Sequence, residues 1–342
     1  MLKVWLDGKL VDQADAKVSV YDHGLLYGDG CFEGIRVYGG RVFKLASHLK
    51  RMYESAERIR LKPAYPPEQV AQAIRDTIAA CELPNGYIRL IFTRGAGTLG
   101  LHPFRCPKPG TIVIVDKIQI YPPELYAKGM KVIVAKRPRI PIACLDPAIK
   151  SLNYLNNILA KIEAIDADVL EAIMLNIDGY VSECTGDNIF MVKGGTVITP
   201  PFEAGMLHGV TRQFVIGELA PALKIPVVEK MIKVDDLLKA DEVFLTGTAA
   251  EIIAAQGLTT WAVLGGDLSA VAARLQGEPG VEQIAAFGAA LHVTGRDAAA
   301  LEAALRRATA DTASRIERAE SGLEDVFIHL MSRASDNFGS KR

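Results

Sequence analysis

Two early stretches carry apolar residues at helical spacing. Leu45, Leu49, Met52, Ala56 and Ile59 mark the first and Glu68 to Cys81 the second, which predicts two amphipathic helices. Around them lie short apolar runs of strand character, KVWLDG and KLV at the start and YIRLIFTR and GTIVIVDKI after the second helix. Glycines punctuate the β-rich stretch YDHGLLYGDGCFEGIRVYGGRVF, so a hairpin-rich sheet is expected in a first α+β unit spanning 1–117. QIYPPELYAKG, with Pro122 and Pro123 and no periodicity, reads as a linker over 118–129. A second unit, 130–255, begins with the strand MKVIVAKR. It continues through a helix at about Leu152 to Ile165, strands EAIMLN, YVSE and NIFMVK, a helix after Gly209 and the strand EVFLTG. Irregular alternation of strands and helices makes it α+β. Over 256–342 alanine rises, and helical stretches are predicted at Asp297 to Ala310 and Leu323 to Ala334.

The 342 residues exceed what one hydrophobic core usually serves, which agrees with several folding units. A net charge of -1 gives no bulk attraction to nucleic acid or anionic lipid, so neither is an expected partner. Five widely spaced cysteines with no Cys-x-x-Cys pair read as reduced thiols. Asp7 interrupts the start before a signal-peptide core can form, and no run is long enough to span a bilayer. The expectation is an unanchored cytoplasmic protein.

Candidate chemistry is sparse when each stretch is taken alone. RGAGTLG has Gly95, Gly97 and Gly100 in dinucleotide-fingerprint spacing, but Pro103, Pro107 and Pro109 follow where that fingerprint must open a helix, so a loop is expected. In MLHGVTRQFVIGEL, Gly209 allows a sharp turn and Thr211 offers a hydroxyl at a helix start, which suits either a phosphate or an ordinary cap. Small residues also expose backbone donors in LTGTAAE. Lys150 precedes an apolar helix and reads equally as a surface charge or as a desolvated amine able to attack an aldehyde. Glu183 lies between apolar strands; buried, it would need a cationic partner. The six histidines show no metal-ligand spacing, so no metal is expected.

Eight blocks in order, YGDGCFEGIRVY, HLKRMYESAERI, YIRL, RGAGTLGLHP, KSLNYLNNILAKIEA, SECTGDNIF, LHGVTR and FLTGTAAEI, resemble the fold-type IV pyridoxal-phosphate enzymes, specifically the branched-chain aminotransferases. The resemblance implies a two-domain α+β fold, with a small domain and a larger, β-barrel-like one. By the same resemblance Lys150 is the Schiff-base lysine, Glu183 pairs with the pyridine nitrogen and Tyr154 bonds the phenolic oxygen. Arg51, Gly209, Val210, Thr211, Gly247 and Thr248 cradle the phosphate, and Leu207 packs on the ring. Tyr27, Phe32 and Gly34 form walls for a branched side chain, while Tyr87, Arg89 and the Thr248–Ala249 backbone receive carboxylates. Leucine, isoleucine and valine are then the expected amino donors, 2-oxoglutarate the acceptor and a homodimer the expected assembly, with the partner's Thr98 to His102 loop over the site. D-amino-acid aminotransferases resemble the same blocks but carry an Arg-x-His trap where this chain has Thr98, Leu99, Gly100 and Leu101. Aminodeoxychorismate lyases lack a comparable FEGIR and YIR pairing.

After GTAAEI the family's usual ending is missing. GGDLSAVAARL, VEQIAAFGAALHVTG and SGLEDVFIHLM instead resemble the C-terminal tail of ABC-transporter ATP-binding subunits. No GxxxxGK[ST] occurs, so ATP hydrolysis is not implied. A chimera whose foreign tail replaced the domain's last strand and helix is the expected origin, with a small added module as the alternative. The rival to an enzyme is a non-catalytic chain with a binding tail.

Overall fold

The computed structural model describes residues 2–117, 129–248, 259–281, 283–287, 290–295 and 297–319. Most of the linker read at 118–129, Ala249 and the helix expected at Leu323 to Ala334 lie outside the described residues. The chain divides into one compact unit over Met1–Ala250 and another over Glu251–Ser335.

The first unit opens with a six-stranded antiparallel sheet. Its strands are β1 (Lys3–Leu6), β2 (Lys9–Asp12), β3 (Gly30–Tyr38), β4 (Arg41–Val42), β5 (Gly86–Thr93) and β6 (Gly110–Asp116), in the order β2-β1-β6-β5-β3-β4. A short helix, α1 (His23–Tyr27), leads into β3; α2 (Leu45–Arg58) and α3 (Pro67–Cys81) follow β4. The helical periodicity lands where expected: Leu45, Leu49, Met52 and Ala56 of α2 and Val70, Ala73, Ile74 and Ile78 of α3 are buried in one cluster. Cys31, Ile35 and Val37 of β3 and Ile88, Leu90 and Phe92 of β5 complete that core. Because side chains alternate along a strand, Phe32 and Gly34 of β3 and Tyr87 and Arg89 of β5 fall on the opposite face.

Two further sheets follow. One is β7-β8-β9, formed by β7 (Val132–Val134), β8 (Glu171–Leu175) and β9 (Val181–Cys184). The other is β12-β11-β10-β13, from β10 (Asn188–Lys193), β11 (Thr196–Thr199), β12 (Val227–Glu229) and β13 (Glu242–Thr246). The strand expected over MKVIVAKR is shorter, because Lys136 and Arg137 leave the sheet and donate their backbone N–H groups to the Glu163 carboxylate. Helix α4 (Leu155–Asp166) follows Lys150. The helix expected after Gly209 is one continuous run in three pieces, α5 (Val210–Phe214), a π turn (Val215–Leu219) and α6 (Ala220–Ala222); α7 (Val234–Leu238) precedes β13.

The second unit has its own order, β14 (Thr259–Leu264), α8 (Leu268–Leu275), β15 (Gln283–Phe287), β16 (Ala290–Gly295), α9 (Ala298–Thr309) and β17 (Arg315–Ala319). Its strands pair antiparallel as β15-β16-β14-β17, the split βαβ arrangement. Asp267 and Asp297 each accept two backbone N–H groups at the start of a helix. Val263, Val271, Leu275, Leu291, Val293, Leu301 and Leu305 form a core in which Trp261 packs. Since Trp5 is the other tryptophan, a Trp5→Phe background leaves Trp261 as the reporter of this unit. There Leu305→Ala should destabilise the Trp261-detected unfolding transition by about 2–5 kcal/mol in urea. An unmoved transition would mean that the unit has no core of its own.

Candidate active site

Lys150 is positioned by backbone pairing with the start of β3. Phe32 N donates to Lys150 O at 3.0 Å and Leu152 N to Gly30 O at 2.9 Å, while Ser151 forms a bridge with Cys31. These contacts place the half-buried lysine 4.8 Å from the Phe32 ring centroid, and its Nζ donates to the Tyr154 hydroxyl at 3.3 Å. Tyr154 meets Phe32 edge to face at 5.0 Å. The surface-charge reading of Lys150 is thereby set aside.

Gly34, Arg51, Tyr87, Lys150, Tyr154 and Glu183 line one pocket. Leu207, Gly209, Val210, Thr211, Gly247 and Thr248 complete the residues that the sequence singled out for it. Phe32 and Arg89 lie beside the pocket: the Arg89 guanidinium is 4.6 Å from the Phe32 ring centroid and 5.4 Å from that of Tyr87. Gly34 makes the arrangement possible, since a Cβ there would fall 1.8 Å from the Tyr87 hydroxyl. Burial, above all, raises the Tyr87 phenol above its ordinary range, so it stays a neutral donor. Tyr27 is not brought to the pocket within this chain. It is partly exposed on α1, and its hydroxyl accepts from Gly100 N at 2.9 Å.

Glu183 sits in β9 and is buried, not on an exposed turn. Its cationic partner within the protein is Arg139, whose Nε donates to Oε1 at 2.6 Å. Leu207 N donates to the other carboxylate oxygen at 3.1 Å. No local sign in the sequence marks Arg139.

Arg51, in the same pocket, is fixed by three donations. Its Nε and Nη2 reach the two oxygens of Glu33 at 2.7 and 2.8 Å, and Nη1 reaches His208 O at 2.8 Å. His48 Nδ1 also bonds Glu33, at 2.8 Å. Burial alone would raise the Glu33 carboxyl, but the Arg51 guanidinium, followed by His48, overrides it and holds Glu33 far below the usual carboxylate range. His48 is pushed down by burial against the pull of Glu33, which keeps it uncharged near neutral pH.

Other pocket residues were not singled out from sequence: Asn157, Thr185, Gly186, Asp187 and Asn188; Thr246, from the LTGTAAE stretch, lines it as well. Asn188 Nδ2 donates to Leu207 O at 3.0 Å, and a Cβ on Gly209 would lie 1.9 Å from Asn188 Oδ1. Asn157 Nδ2 donates to Thr185 O at 2.9 Å. Both belong to quoted blocks, but only their long-range partners give them a role. Thr211 Oγ1 and Thr246 Oγ1 are buried and have no hydrogen-bond partner among the described residues, so the pocket presents two hydroxyls awaiting a polar group. Among the described residues no cluster of ligands could hold a metal.

Residues 30–257 match the family model of class IV aminotransferases. The chain belongs to the class IV aminotransferases. It is 48% identical to a protein of Methanocaldococcus jannaschii provisionally assigned as a branched-chain aminotransferase, over 74% of this chain and 86% of that one. With the branched-chain-amino-acid aminotransferase of Escherichia coli it shares 37% identity over 73% of this chain and 82% of the relative. A crystal structure of the Escherichia coli enzyme superposes with a TM-score of 0.71 at 34% identity, covering 73% of this chain and 84% of that one. The branched-chain amino acid aminotransferase of Thermobaculum terrenum, in its pyridoxal-phosphate holo-form, gives 0.66 at 27% identity, covering 73% and 83%. The fold of residues preceding the tail is therefore that of the fold-type IV aminotransferases, an α+β architecture as expected.

The Glu33 cluster sets a pH-dependent prediction. Because the folded-state value of Glu33 is depressed, its contribution is full above the ordinary carboxylate range near ~4.3 and fades as pH falls below it. Glu33→Gln should cost about 3–5 kcal/mol at pH 7, since it strands a buried guanidinium. In urea unfolding the gap to the parent protein should shrink steadily between pH 5 and pH 3. A gap that does not change with pH would exclude the ion pair as its source.

Proposed function

We propose that this class IV aminotransferase moves the amino group of L-leucine, L-isoleucine or L-valine to 2-oxoglutarate, with pyridoxal 5'-phosphate as cofactor. The observation that carries the reading is the convergence of Lys150, Tyr154, Glu183, Arg51 and Thr211 on one pocket beside a stacked Arg89. The residues present fit the cofactor. Gly209 and Gly247 let Asn188 and Asp187 close against the pocket wall, since a Cβ on either glycine would fall 1.9 Å from a side-chain oxygen, and Thr211 and Thr246 hold unmet buried hydroxyls. Arg51 uses three of its five N–H donors within the protein, which leaves two for an oxygen-rich anion. Thr211 and the N–H groups of Val210 and Thr211 at the start of the helical run 210–222 would hold the phosphate with it, and Gly247 and Thr248 would close the cradle. Leu207 would lie against the ring, Glu183 at its nitrogen and Tyr154 at its phenolic oxygen. When bound, the cofactor supplies the carbonyl carbon that exchanges nitrogen and the ring that takes up the electron pair released at the substrate Cα.

Lys150 then carries the proton. Its amine lies 4.8 and 5.5 Å from the ring centroids of Phe32 and Tyr154, inside the pocket, where it would take the proton from Cα and return it. Arg89 makes no ion pair among the described residues, and its flat guanidinium is stacked on Phe32 and Tyr87. A weakly hydrated, stacked guanidinium tolerates an aliphatic neighbour and still pairs a second carboxylate, so one pocket serves leucine and glutamate in turn. The Thr248–Ala249 backbone would receive the α-carboxylate.

The branched-chain relatives favour this substrate class over the D-amino-acid and lyase readings on the same scaffold. Lys150→Ala should lower leucine plus 2-oxoglutarate turnover by at least about 10²–10⁴-fold, and the parent protein loaded with cofactor should be yellow and change absorbance on adding leucine. Arg89→Leu should cut kcat/KM for 2-oxoglutarate by about 10–100-fold with little change for leucine. Equal losses for both would remove Arg89 from side-chain recognition.

A homodimer accompanies this function. Leu25, Leu99, Leu101 and Phe104 expose large apolar surface on α1 and the loop after β5. That loop is anchored by His23 Nε2 to Thr98 O at 2.9 Å and by Gly100 N to Tyr27. A second copy covering this face would bring Tyr27 and the loop to the neighbouring site. Sedimentation should show a dimer that Leu101→Glu dissociates at micromolar concentration; a parent chain that sediments as a monomer would refute it. For the tail, we propose a foreign segment resembling the end of ABC-transporter ATP-binding subunits that replaces the domain's last strand and helix, in a cytoplasmic enzyme. In its support, the family match stops at residue 257 and the residues from Glu251 form their own compact unit.

A further inference from the structure

A buried carboxylate ordinarily sheds its charge by taking up a proton unless a cation stays beside it. Glu183 has such a cation before any ligand arrives. The Arg139 and Glu183 side chains are 7% and 6% exposed, and they meet at 2.6 Å. Arg139 is itself held at both ends. Its backbone N–H donates to Leu175 O at 2.7 Å and its Nη1 to Asn156 Oδ1 at 3.1 Å. Asn156 also accepts from Ile140 N at 3.0 Å and donates to Pro138 O at 3.0 Å, so the segment carrying Arg139 is fastened to the helix that begins beside Tyr154. The fork can therefore not follow Glu183 if that carboxylate turns away.

We propose that Arg139 is a positioning residue for transamination: its fixed guanidinium keeps Glu183 ionised and aimed in the cofactor-free pocket, so that the pocket receives a protonated ring nitrogen. This rests on the reading that Glu183 faces the ring nitrogen of pyridoxal phosphate. The other charged or titratable groups that line the pocket with Glu183 are Arg51, Tyr87, Lys150, Tyr154 and Asp187, and Cys184 lies next to it in β9. Arg51 is already neutralised by Glu33, and Lys150 and Tyr154 bond each other. Arg139 alone among these cations touches the carboxylate. Without it the cofactor-free pocket holds a neutral carboxylic acid. Binding a ring that brings its own proton then releases one proton, because the pair in the complex shares a single one.

The test is the affinity of the cofactor-free protein for pyridoxal phosphate between pH 6 and pH 8, with each variant divided by the parent protein so that titrations of the ligand cancel. For Arg139→Gln the ratio of dissociation constants should rise as pH falls, approaching about tenfold per pH unit for one linked proton. Arg139→Lys keeps the charge, and its ratio should stay level with pH. The double variant Arg139→Gln, Glu183→Gln should also be level. A loss of the same size at every pH in both single variants would overturn the proposal and leave Arg139 a structural residue. Should Arg139→Gln not fold, the double variant must regain the fold, since it removes the stranded carboxylate; failure to do so overturns the proposal equally. Glu183→Gln alone reports on the underlying reading. If it leaves pyridoxal phosphate affinity unchanged, Glu183 is not the partner of the ring nitrogen, whatever the Arg139 variants do.

Discussion

Arg51 cannot lose its charge, and it is buried. Its surroundings must therefore answer that charge, and the answer organises the first unit. Glu33 comes from β3 on the face that packs against α2, so the pair fixes the helix to the sheet. The third donation, to His208 O, reaches 157 residues along the chain to the turn that opens the helical run at Val210. A single guanidinium thus sets the distance between the six-stranded sheet and the turn at Gly209. Buried ion pairs are poor sources of net stability, because a well-packed apolar replacement is often as good. On the proposed function, the two N–H donors that remain on Arg51 give the reason for its presence.

Strands β3 and β5 show how one local rule serves two purposes. Period-two alternation sends Cys31, Glu33, Ile35, Ile88, Leu90 and Phe92 toward the helices and Phe32, Gly34, Tyr87 and Arg89 toward the site. The core half of this division is legible in the sequence, since apolar residues at fixed period have a single sensible destination. So are α2, α3, α4 and most strands of the first unit. For the site half, the eight ordered blocks, and not local chemistry, pointed to residues that line one pocket. Lys150 looks like any lysine until Phe32 and Tyr154 are beside it, and Glu183 like a turn residue until its burial is known. Arg139 had no signal at all, because its meaning comes from a contact 44 residues away. Glu33 and His48 passed unnoticed for the same reason: a charged residue in a strand and a histidine in a helix are each commonplace until they meet.

The tail follows the opposite pattern. Its helix from Ala298 announces itself by alanine-rich helical spacing, whereas α8 and the four strands lie in short runs whose period is ambiguous. Only pairing resolves the strands: β14 is central, with β16 on one side and β17 on the other. The order in which strands pair is not a property of any one segment, so the split βαβ arrangement could not be read from the sequence in advance.

The three arginines in and beside the pocket divide along a consistent line. Arg51 and Arg139, at opposite carboxylates, each carry a buried partner, Glu33 and Glu183, and each pair leaves the cofactor-free pocket without net charge at that point. Arg89 has aromatic faces in place of a carboxylate. A resident group can be met by pre-paired charges, because it arrives once and the desolvation of the pair is shared with folding. A substrate that must enter and leave is better met by a cation with an open edge, whose partner is the substrate's own carboxylate and departs with it. Pairing Arg89 internally would tie up in a fixed contact the attraction needed for the acidic substrate. Leaving Arg51 or Arg139 unpaired would bury an uncompensated charge in every molecule of the cofactor-free protein. On the proposed function, the same residue type is thus neutralised where the pocket would hold a resident group and left open where it would meet a substrate.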